Sequence, residues 1–235
     1  NLNNNLDYLN RVYLRIDLDK ICNNIKEVIK KVGDDTKVMA VVKADAYGHG
    51  AIEVSKALSE IGTYGFAVAT VGEALALRRA GITKPILILD FVFPNQFETI
   101  IRNDIMLTIF RYEIAKELNE AAEQMGTTVH IHIKVDTGMG RIGFIPDEES
   151  VDEIRRISQL PNVEIDGIFT HFACADEADK TSMNKQFEKF KSFVKKLEEI
   201  GINIPIKHVC NSAAIIDSND KFLNMVRSGI ITYGL

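Results

Sequence analysis

The chain has 235 residues, of which 46% are hydrophobic and 26% charged, a composition typical of a globular protein with a sizeable core. Its net charge of −5 argues against a nucleic-acid-binding surface, which needs dense Lys and Arg, and no apolar run approaches the ~20 residues of a membrane helix. The polar start lacks a signal-peptide core, and three scattered cysteines, Cys22, Cys174 and Cys210, indicate reduced thiols. We therefore expect a cytoplasmic protein.

The first element in chain order is a short strand-like segment, VYLRID (12–17), followed by a helix that Asp17 or Asp19 can cap. This segment stands outside the regular pattern that follows. We therefore divide the chain into an N-terminal strand segment, residues 1–17, and a larger domain, residues 18–235.

The larger domain is a regular alternation of apolar and amphipathic segments. Apolar, β-branched runs predict buried parallel strands over residues 38–45, 65–70, 85–90, 104–110, 129–136, 163–172, 206–211 and 222–229. Amphipathic helices lie between them, and the clearest starts at a Thr181 or Ser182 cap and ends at Gly201. About eight strand–helix units predict an α/β fold of the (β/α)8 TIM-barrel type, with a doubly wound open sheet as the alternative.

Unusual residues, most of them with polar side chains, collect at the predicted C-terminal ends of five strands, the face that carries the active site in such barrels. They are Lys43, Lys134, Asp136, Arg141, His171, Asn211, Ser212, Arg227 and Gly229. Lys43 ends an apolar strand, where a lysine is either a nucleophile that condenses with an aldehyde or a side chain that reaches to solvent. Gly48 and Gly50 just after it permit a tight turn.

The segment VVKADAYGHG (41–50) resembles the pyridoxal-phosphate lysine motif of the alanine racemases. Four further segments resemble blocks of that family in the same order: KVDTGMGRIGF (134–144), THFACAD (170–176), CNSAAII (210–216) and RSGIITYGL (227–235). Together the five segments run along nearly the whole chain. The resemblance implies a fold-type III pyridoxal-phosphate enzyme that interconverts L- and D-alanine, or serine, for cell-wall precursor synthesis.

The resemblance also implies roles for individual residues at the cofactor. Lys43 would bind pyridoxal phosphate covalently and act as one of two acid/base groups beside the substrate Cα. The other implied cofactor contacts are Tyr47, Ser212, Gly229 and Ile230 at the phosphate, Asn211 beside Ser212, and Leu89 as an apolar neighbour.

Two arginines carry the remaining implied roles. Arg227 would donate a hydrogen bond to the pyridine nitrogen without protonating it, which suits proton exchange at Cα, and His171 would orient Arg227. Arg141 would bind the substrate carboxylate. Lys134 matches a lysine that can be carbamylated to an anion orienting this arginine, and Asp136 would serve part of the same purpose.

The resemblance implies a partner subunit and a further domain. Alanine racemases are homodimers of two-domain subunits, in which the partner's β-rich C-terminal domain supplies a tyrosine as the second base. No position here matches that tyrosine. The implication is a barrel domain without its C-terminal β-domain, poorly active by itself, with residues 12–17 pairing with the absent domain.

Two other functions stay open at this point: a non-catalytic, single-domain pyridoxal-phosphate carrier, and a metal-assisted or phosphate-binding barrel enzyme without pyridoxal. His130 and His132 alternate on one strand face and could suggest a metal site. No third potential metal ligand lies near them in the sequence at a spacing typical of a metal site. We therefore interpret both histidines as packing residues and expect no metal.

Overall fold

The structure, a computed structural model, describes residues 12–234. Eight parallel strands close into a barrel in sequence order, and β8 pairs with β1. The strands are β1 Lys37–Val41, β2 Gly65–Val68, β3 Ile86–Ile88, β4 Met106–Ile109, β5 Val129–Lys134, β6 Val163–Phe169, β7 Ile206–His208 and β8 Met225–Ser228. Closure of the ring confirms the predicted (β/α)8 barrel and excludes the open sheet.

Helices surround the barrel. They are α1 Leu18–Val32, α2 Ala51–Ser59, α3 Val71–Arg79, α4 Phe97–Arg102, α5 Tyr112–Gln124, α6 Glu148–Ile157, α7 Thr181–Glu199 and α8 Ser212–Asp217, with 3₁₀ turns at Pro94–Gln96 and Ile230–Tyr233. Within residues 12–234, each helix is too short or too polar to cross a membrane.

The first helix completes the outer ring. α1 precedes β1 in the chain, yet it packs against α2 and against the 3₁₀ turn that follows β8. Asn24 of α1 donates a side-chain hydrogen bond to the carbonyl of Thr232 at 3.1 Å. Because α1 lies between the last and the first strand–helix units, it takes the position of the eighth helix in the outer ring.

Helix ends follow the predicted signals in part. Asp17 caps α1, because its carboxylate accepts from the backbone N–H of Lys20 at 3.2 Å. Gly201 follows α7 with φ of 87°, as a glycine at a helix end often does. The predicted N-terminal cap of α7, Thr181 or Ser182, was wrong, because Thr181 is already helical. The carboxylate of Asp179 accepts hydrogen bonds from the backbone N–H and the hydroxyl of Thr181. Residues 12–17 pair with none of the eight strands, so a strand there stays a prediction.

The barrel interior has two unlike halves. Inward-facing positions of β1 to β4 are mostly apolar and pack in one cluster with residues from β7 and β8: Met39, Val41, Ala67, Leu87, Met106, Ile206 and Met225. Register places a second inward set on β5, β7 and β8 that is polar although buried: His132, Lys134, His208 and Arg227. A buried polar group is costly unless it is hydrogen-bonded, so this half of the interior indicates the functional region.

Candidate active site

A cavity of about 390 Å³ lies at the C-terminal ends of the strands, a size typical of a small-molecule site. All but one of the residues predicted for the site line it: Lys43, Tyr47, Leu89, Lys134, Arg141, His171, Asn211, Ser212, Arg227, Gly229 and Ile230. The exception is Asp136. Lining residues that the sequence did not indicate are Val41, Ala69, Asp90, Ile142, Phe169, Asp176 and Ala213.

Lys43 begins an unusual turn, Lys43–Gly48, which we call the Lys43 turn. Four consecutive residues, Ala44 to Tyr47, have φ between 51° and 54°, so the turn is left-handed although none of them is glycine. Such a conformation costs about 1–2 kcal/mol per residue. Gly48 and Gly50 continue it at φ of 85° and 87°, which confirms the predicted tight turn.

Two carboxylates hold the Lys43 turn in place, one from α3 and one from the turn itself. Glu73 Oε1 accepts from the backbone N–H of Ala44 at 2.6 Å, and Asp45 Oδ1 accepts from that of Ala51 at 2.7 Å. Sequence reasoning missed Glu73. The T-x-x-E pattern of Thr70 and Glu73 indicates a capping box, which the structure contains, but not a contact with a distant strand end.

Three predicted phosphate-binding groups converge at one end of the cavity. Ser212 Oγ accepts hydrogen bonds from the backbone N–H of Gly229 at 3.0 Å and of Ile231 at 3.4 Å. A β-carbon at Gly229 would lie 3.3 Å from both Ser212 Oγ and Tyr47 Oη. Asn211 supports this end by capping α8, since its side chain accepts from Ala214. The glycine leaves room here that any side chain would fill.

Arg227 forms the polar floor of the cavity and is only 3% exposed. Its guanidinium donates to the carbonyls of Thr170 at 2.8 Å, His208 at 3.2 Å and Val209 at 3.3 Å. Burial lowers the pKa of Arg227 to about 10, so it stays charged at pH 7. The site thus contains a fixed, buried cation whose chemistry is donation alone.

The main imidazole partner of Arg227 is His208, which sequence reasoning missed. Arg227 Nη1 donates to His208 Nδ1 at 2.8 Å, whereas the predicted partner, His171, lies at 3.4 Å from Nη2. The feature of the sequence that could have indicated His208 is a polar residue at an inward-facing position of a barrel strand. Burial first, and then Arg227, lower the pKa of His171 to about 3, so it is neutral at pH 7.

Lys134 lies beside the two arginines and is 2% exposed. Its ammonium donates to the carbonyl of Val135 at 2.8 Å and sits 5.5 Å from the ring centre of Phe169. Burial, followed by the positive charges of Arg227 and Arg141, lowers the pKa of Lys134 to about 7, although Asp136 opposes this. A large share of this amine is therefore neutral near pH 7.

Asp136 supports the loop that carries Arg141. Its carboxylate accepts from the backbone N–H groups of Gly138 at 2.9 Å, Gly140 at 3.1 Å and Arg141 at 3.1 Å. Burial would raise the pKa of Asp136, but these backbone bonds and Lys134 hold it below its usual value. Asp136 therefore fixes the backbone of Arg141 and leaves its exposed guanidinium to the cavity mouth.

The two histidines of β5 differ. His132 is fully buried, as predicted for packing, but His130 lies half-exposed at the opposite mouth of the barrel, where it pairs with Asp166 at 3.0 Å and with Glu164 at 3.9 Å. These three offer ligand atoms within 4.8 Å of one another. They come from adjacent strands, so spacing along the chain could not indicate the cluster. The 3.0 Å contact is an ordinary imidazole–carboxylate pair.

Comparison with known proteins agrees with this geometry. The family described as "Alanine racemase, N-terminal domain" matches residues 16–235. An alanine racemase of Methanococcus maripaludis is 53% identical over 95% of this chain and 60% of its own length, and one of Clostridium tetani is 50% identical over 97% and 58%. The solved alanine racemase of Clostridium difficile 630 superposes with a TM-score of 0.92 at 46% identity, over 93% of this chain and 57% of that one.

The chain thus spans about 60% of the length of these relatives, and what it spans is the barrel with its cavity. Identity of about half over nearly the whole chain, a matching fold and a matching family description agree with one another. On this evidence, the chain belongs to the alanine racemase family.

Proposed function

We propose that this chain is the pyridoxal-phosphate-binding barrel of a racemase that interconverts L- and D-alanine. One observation carries the proposal: a single cavity is lined by a lysine on a hydrogen-bonded turn, a buried arginine, a second arginine at the mouth, and a glycine–serine–tyrosine pocket. Pyridoxal phosphate carries an aldehyde, a ring nitrogen and a phosphate. Its amino-acid substrate carries a carboxylate.

The residues present fit this cofactor. Gly229 leaves open the space beside Ser212 Oγ and Tyr47 Oη that a β-carbon would occupy, which provides room and donors for a phosphate. Lys43 is half-buried in the same cavity and offers the amine that an aldehyde needs. Leu89 adds apolar lining beside them.

When bound, pyridoxal phosphate withdraws electrons from the substrate amino acid and so makes the hydrogen on Cα acidic. Lys43 would hold the cofactor covalently through its aldehyde carbon and, once the amine of the substrate replaces it there, would as a free amine exchange a proton with one face of Cα. Arg141 would hold the substrate carboxylate by paired hydrogen bonds. Lys134, carbamylated as the resemblance implies, would orient Arg141.

Arg227 would donate to the ring nitrogen and leave it unprotonated, because a guanidinium keeps its own proton near neutral pH. His171, neutral and beside Arg227, would help to orient it. A ring that is not protonated withdraws electrons less strongly, which favours rapid return of the proton to Cα over other reactions.

Racemisation needs a second proton-transfer group on the opposite face of Cα. We infer that the complete protein is a homodimer in which a partner subunit supplies that group, a tyrosine, at the open mouth of this cavity. Positioned acid–base groups contribute typically about 10²–10⁴-fold in rate. Barrel residues by themselves would then bind the cofactor but racemise alanine slowly.

The test is a titration of the complete protein with pyridoxal phosphate, followed by borohydride reduction and peptide mapping. We expect an absorbance band, trapped on Lys43 and lost in Lys43→Ala. Lys56→Ala, which changes an exposed lysine of α2, serves as the control. Trapping of the cofactor on several lysines without preference for Lys43 would contradict the site.

Turnover separates a racemase from a carrier. With L-alanine or L-serine as substrate, the complete protein should form the D-enantiomer, and the ratio of the two kcat/KM values gives the substrate preference. Binding of cofactor on Lys43 with no racemisation of either amino acid would instead favour a non-catalytic carrier.

A further inference from the structure

The barrel interior holds a chain of hydrogen bonds that the proposed function leaves unused. Arg227 Nη1 donates to His208 Nδ1 at 2.8 Å, and His208 Nε2 lies 2.8 Å from His132 Nδ1. The imidazoles of His132 and His208 are fully buried. These hydrogen bonds therefore lead from Arg227, which lines the cavity, into the middle of the barrel.

The chemistry of arginine fixes each proton in this chain. A guanidinium has only donors, so His208 Nδ1 must accept and the proton of His208 must lie on Nε2. That N–H donates to His132 Nδ1, which places the proton of His132 on Nε2. Burial first, and then Arg227, lower the pKa of His132 to about 3 and that of His208 well below its usual value, so both rings are neutral.

The far end of the chain is a buried donor. His132 Nε2 has no hydrogen-bond partner among residues 12–234. Most buried polar groups are satisfied, so each exception needs an explanation. Within the same residues, the hydrogen bond of the His132 ring is the one from His208 to Nδ1.

The neighbouring strand is shaped to admit the His132 ring. A β-carbon at Gly167 would lie 2.4 Å from His132 Nδ1 and 2.5 Å from Cε1. Pairing of β5 with β6 shifts between Ile131 and His132, which sets Gly167 opposite His132. Glycine and an irregular register both weaken a strand, so their presence at this point indicates that the position of the ring matters.

We propose that His132 is a positioning residue for Arg227. By accepting from Nε2 of His208, it holds His208 in the tautomer whose Nδ1 faces the guanidinium. In the other tautomer an N–H of His208 would oppose an N–H of Arg227, and the arginine would lose a buried acceptor. The consequence for catalysis rests on the proposed function, in which Arg227 faces the cofactor ring nitrogen.

The first experiment reads the proton positions without any cofactor. Long-range ¹H–¹⁵N NMR of the complete protein, labelled with ¹⁵N-histidine, separates the two neutral tautomers of each histidine, including the five of this chain. We expect His132 and His208 to carry their protons on Nε2 and not to titrate from about pH 5 to about pH 9, around the ordinary histidine pKa. Single His→Asn variants assign the signals.

Three variants then test the coupling. His132→Phe keeps a ring but removes the acceptor, His132→Asn keeps an acceptor near the place of Nδ1, and Ile133→Val changes the next buried residue of the same strand. In His132→Phe we expect the His208 signal to change, the pH profile of the bound-cofactor absorbance to shift, and kcat to fall at least about tenfold with little change in KM. His132→Asn should restore all three, and Ile133→Val should move none of them.

Two results would overturn the proposal. One is a proton on Nδ1 of His132 in the unaltered protein, which can be seen even if the variants fail to fold. The other is a His132→Phe protein that retains the His208 signal and the cofactor profile of the unaltered protein. Absence of cofactor binding on Lys43 would count against the proposed function instead, and the NMR experiment would still decide the proton positions.

Discussion

Glu73 of α3 accepts a hydrogen bond from the backbone N–H of Ala44 at 2.6 Å, and so ties a helix to the turn that presents Lys43. Its other oxygen accepts from the backbone N–H of Ala69 at 2.8 Å and of Thr70 at 3.0 Å. One carboxylate therefore satisfies three backbone donors on two strand ends. A left-handed turn is costly by itself, and bonds of this kind offset the cost.

Replacing Glu73 should weaken the hydrogen bonds that hold the Lys43 turn while the protein stays folded. Glu73→Gln puts an amide N–H₂ where a carboxylate oxygen accepted, so at least one backbone donor loses its partner, at about 1–3 kcal/mol. We expect a lower free energy of unfolding in urea and slower, weaker trapping of pyridoxal phosphate on Lys43. Glu53→Gln, on an exposed residue paired with Lys56, is the control. Equal behaviour of the two variants would show that Glu73 does not hold the turn.

Filling the space at Gly229 should weaken cofactor binding more than stability. The β-carbon of Gly229→Ala would lie 3.3 Å from Ser212 Oγ and from Tyr47 Oη, in the proposed phosphate pocket. We expect the Kd for pyridoxal phosphate to rise at least about tenfold, the equivalent of roughly 1.4 kcal/mol. Gly72→Ala in α3, where the nearest atom is 3.9 Å away, should leave Kd unchanged. An unchanged Kd in Gly229→Ala would place the phosphate elsewhere.

Much of this fold was predictable from sequence because its signals are local. Most strands of the barrel lie in runs rich in apolar, β-branched residues, and several of the segments between them repeat an amphipathic period, so about eight units could be counted. The place of α1 was not predictable, because it depends on the 3₁₀ turn at Ile230–Tyr233, some two hundred residues further along the chain. The left-handed conformation of Ala44 to Tyr47 was also missed, since these four residues include no glycine and only Asp45 is of a type that tolerates positive φ.

The site was predictable where residues carry chemistry at strand ends, and was not where a residue acts through another. Lys43 and Arg227 stand out as cations at the ends of predicted apolar strands and Arg141 as a cation that follows one, and the resemblance to the alanine racemases implies their roles. His208 acts only through Arg227, and Glu73 only through backbone N–H groups. Closure of the barrel and the βα connections bring these residues close to their partners. Spacing along the chain does not predict such contacts.

Arg141 should matter for substrate and little for stability. Its side chain is exposed at the cavity mouth, while its backbone N–H is held by Asp136. We expect Arg141→Ala to raise the KM for alanine at least about tenfold, with a change in unfolding free energy within about 0.5 kcal/mol. Arg155→Ala, which removes an exposed pair with Asp152, is the matched control. An unaltered KM would remove Arg141 from substrate binding.

Lys134 should make stability depend on pH in a defined direction. Its folded pKa of about 7 lies below the ordinary 10.5, so between these values the unfolded chain binds a proton that the folded chain does not. The contribution of Lys134 to the free energy of unfolding is therefore most unfavourable below pH 7 and improves as pH rises toward 10.5. Lys134→Met should stabilise most at about pH 6, by at most about 5 kcal/mol, and least near pH 10.

Urea unfolding at several pH values measures this difference, with Lys189→Met on the exposed face of α7 as the control. The control should follow the unaltered protein at every pH. If Lys134→Met also follows it, the ammonium of Lys134 is better solvated than its burial indicates.

The same low pKa predicts that Lys134 reacts with carbon dioxide. A neutral amine attacks the carbon of CO₂ and releases a proton, which leaves a carbamate anion on Nζ, and the charges of Arg141 and Arg227 favour that anion. In ¹³C-bicarbonate at about pH 8, the protein should give a carbamate signal by ¹³C NMR that declines as the pH falls through about 7. Lys134→Met should lack this signal and Lys189→Met should retain it. If the signal persists in Lys134→Met, the carbamate forms on another amine, and the orientation of Arg141 needs a different explanation.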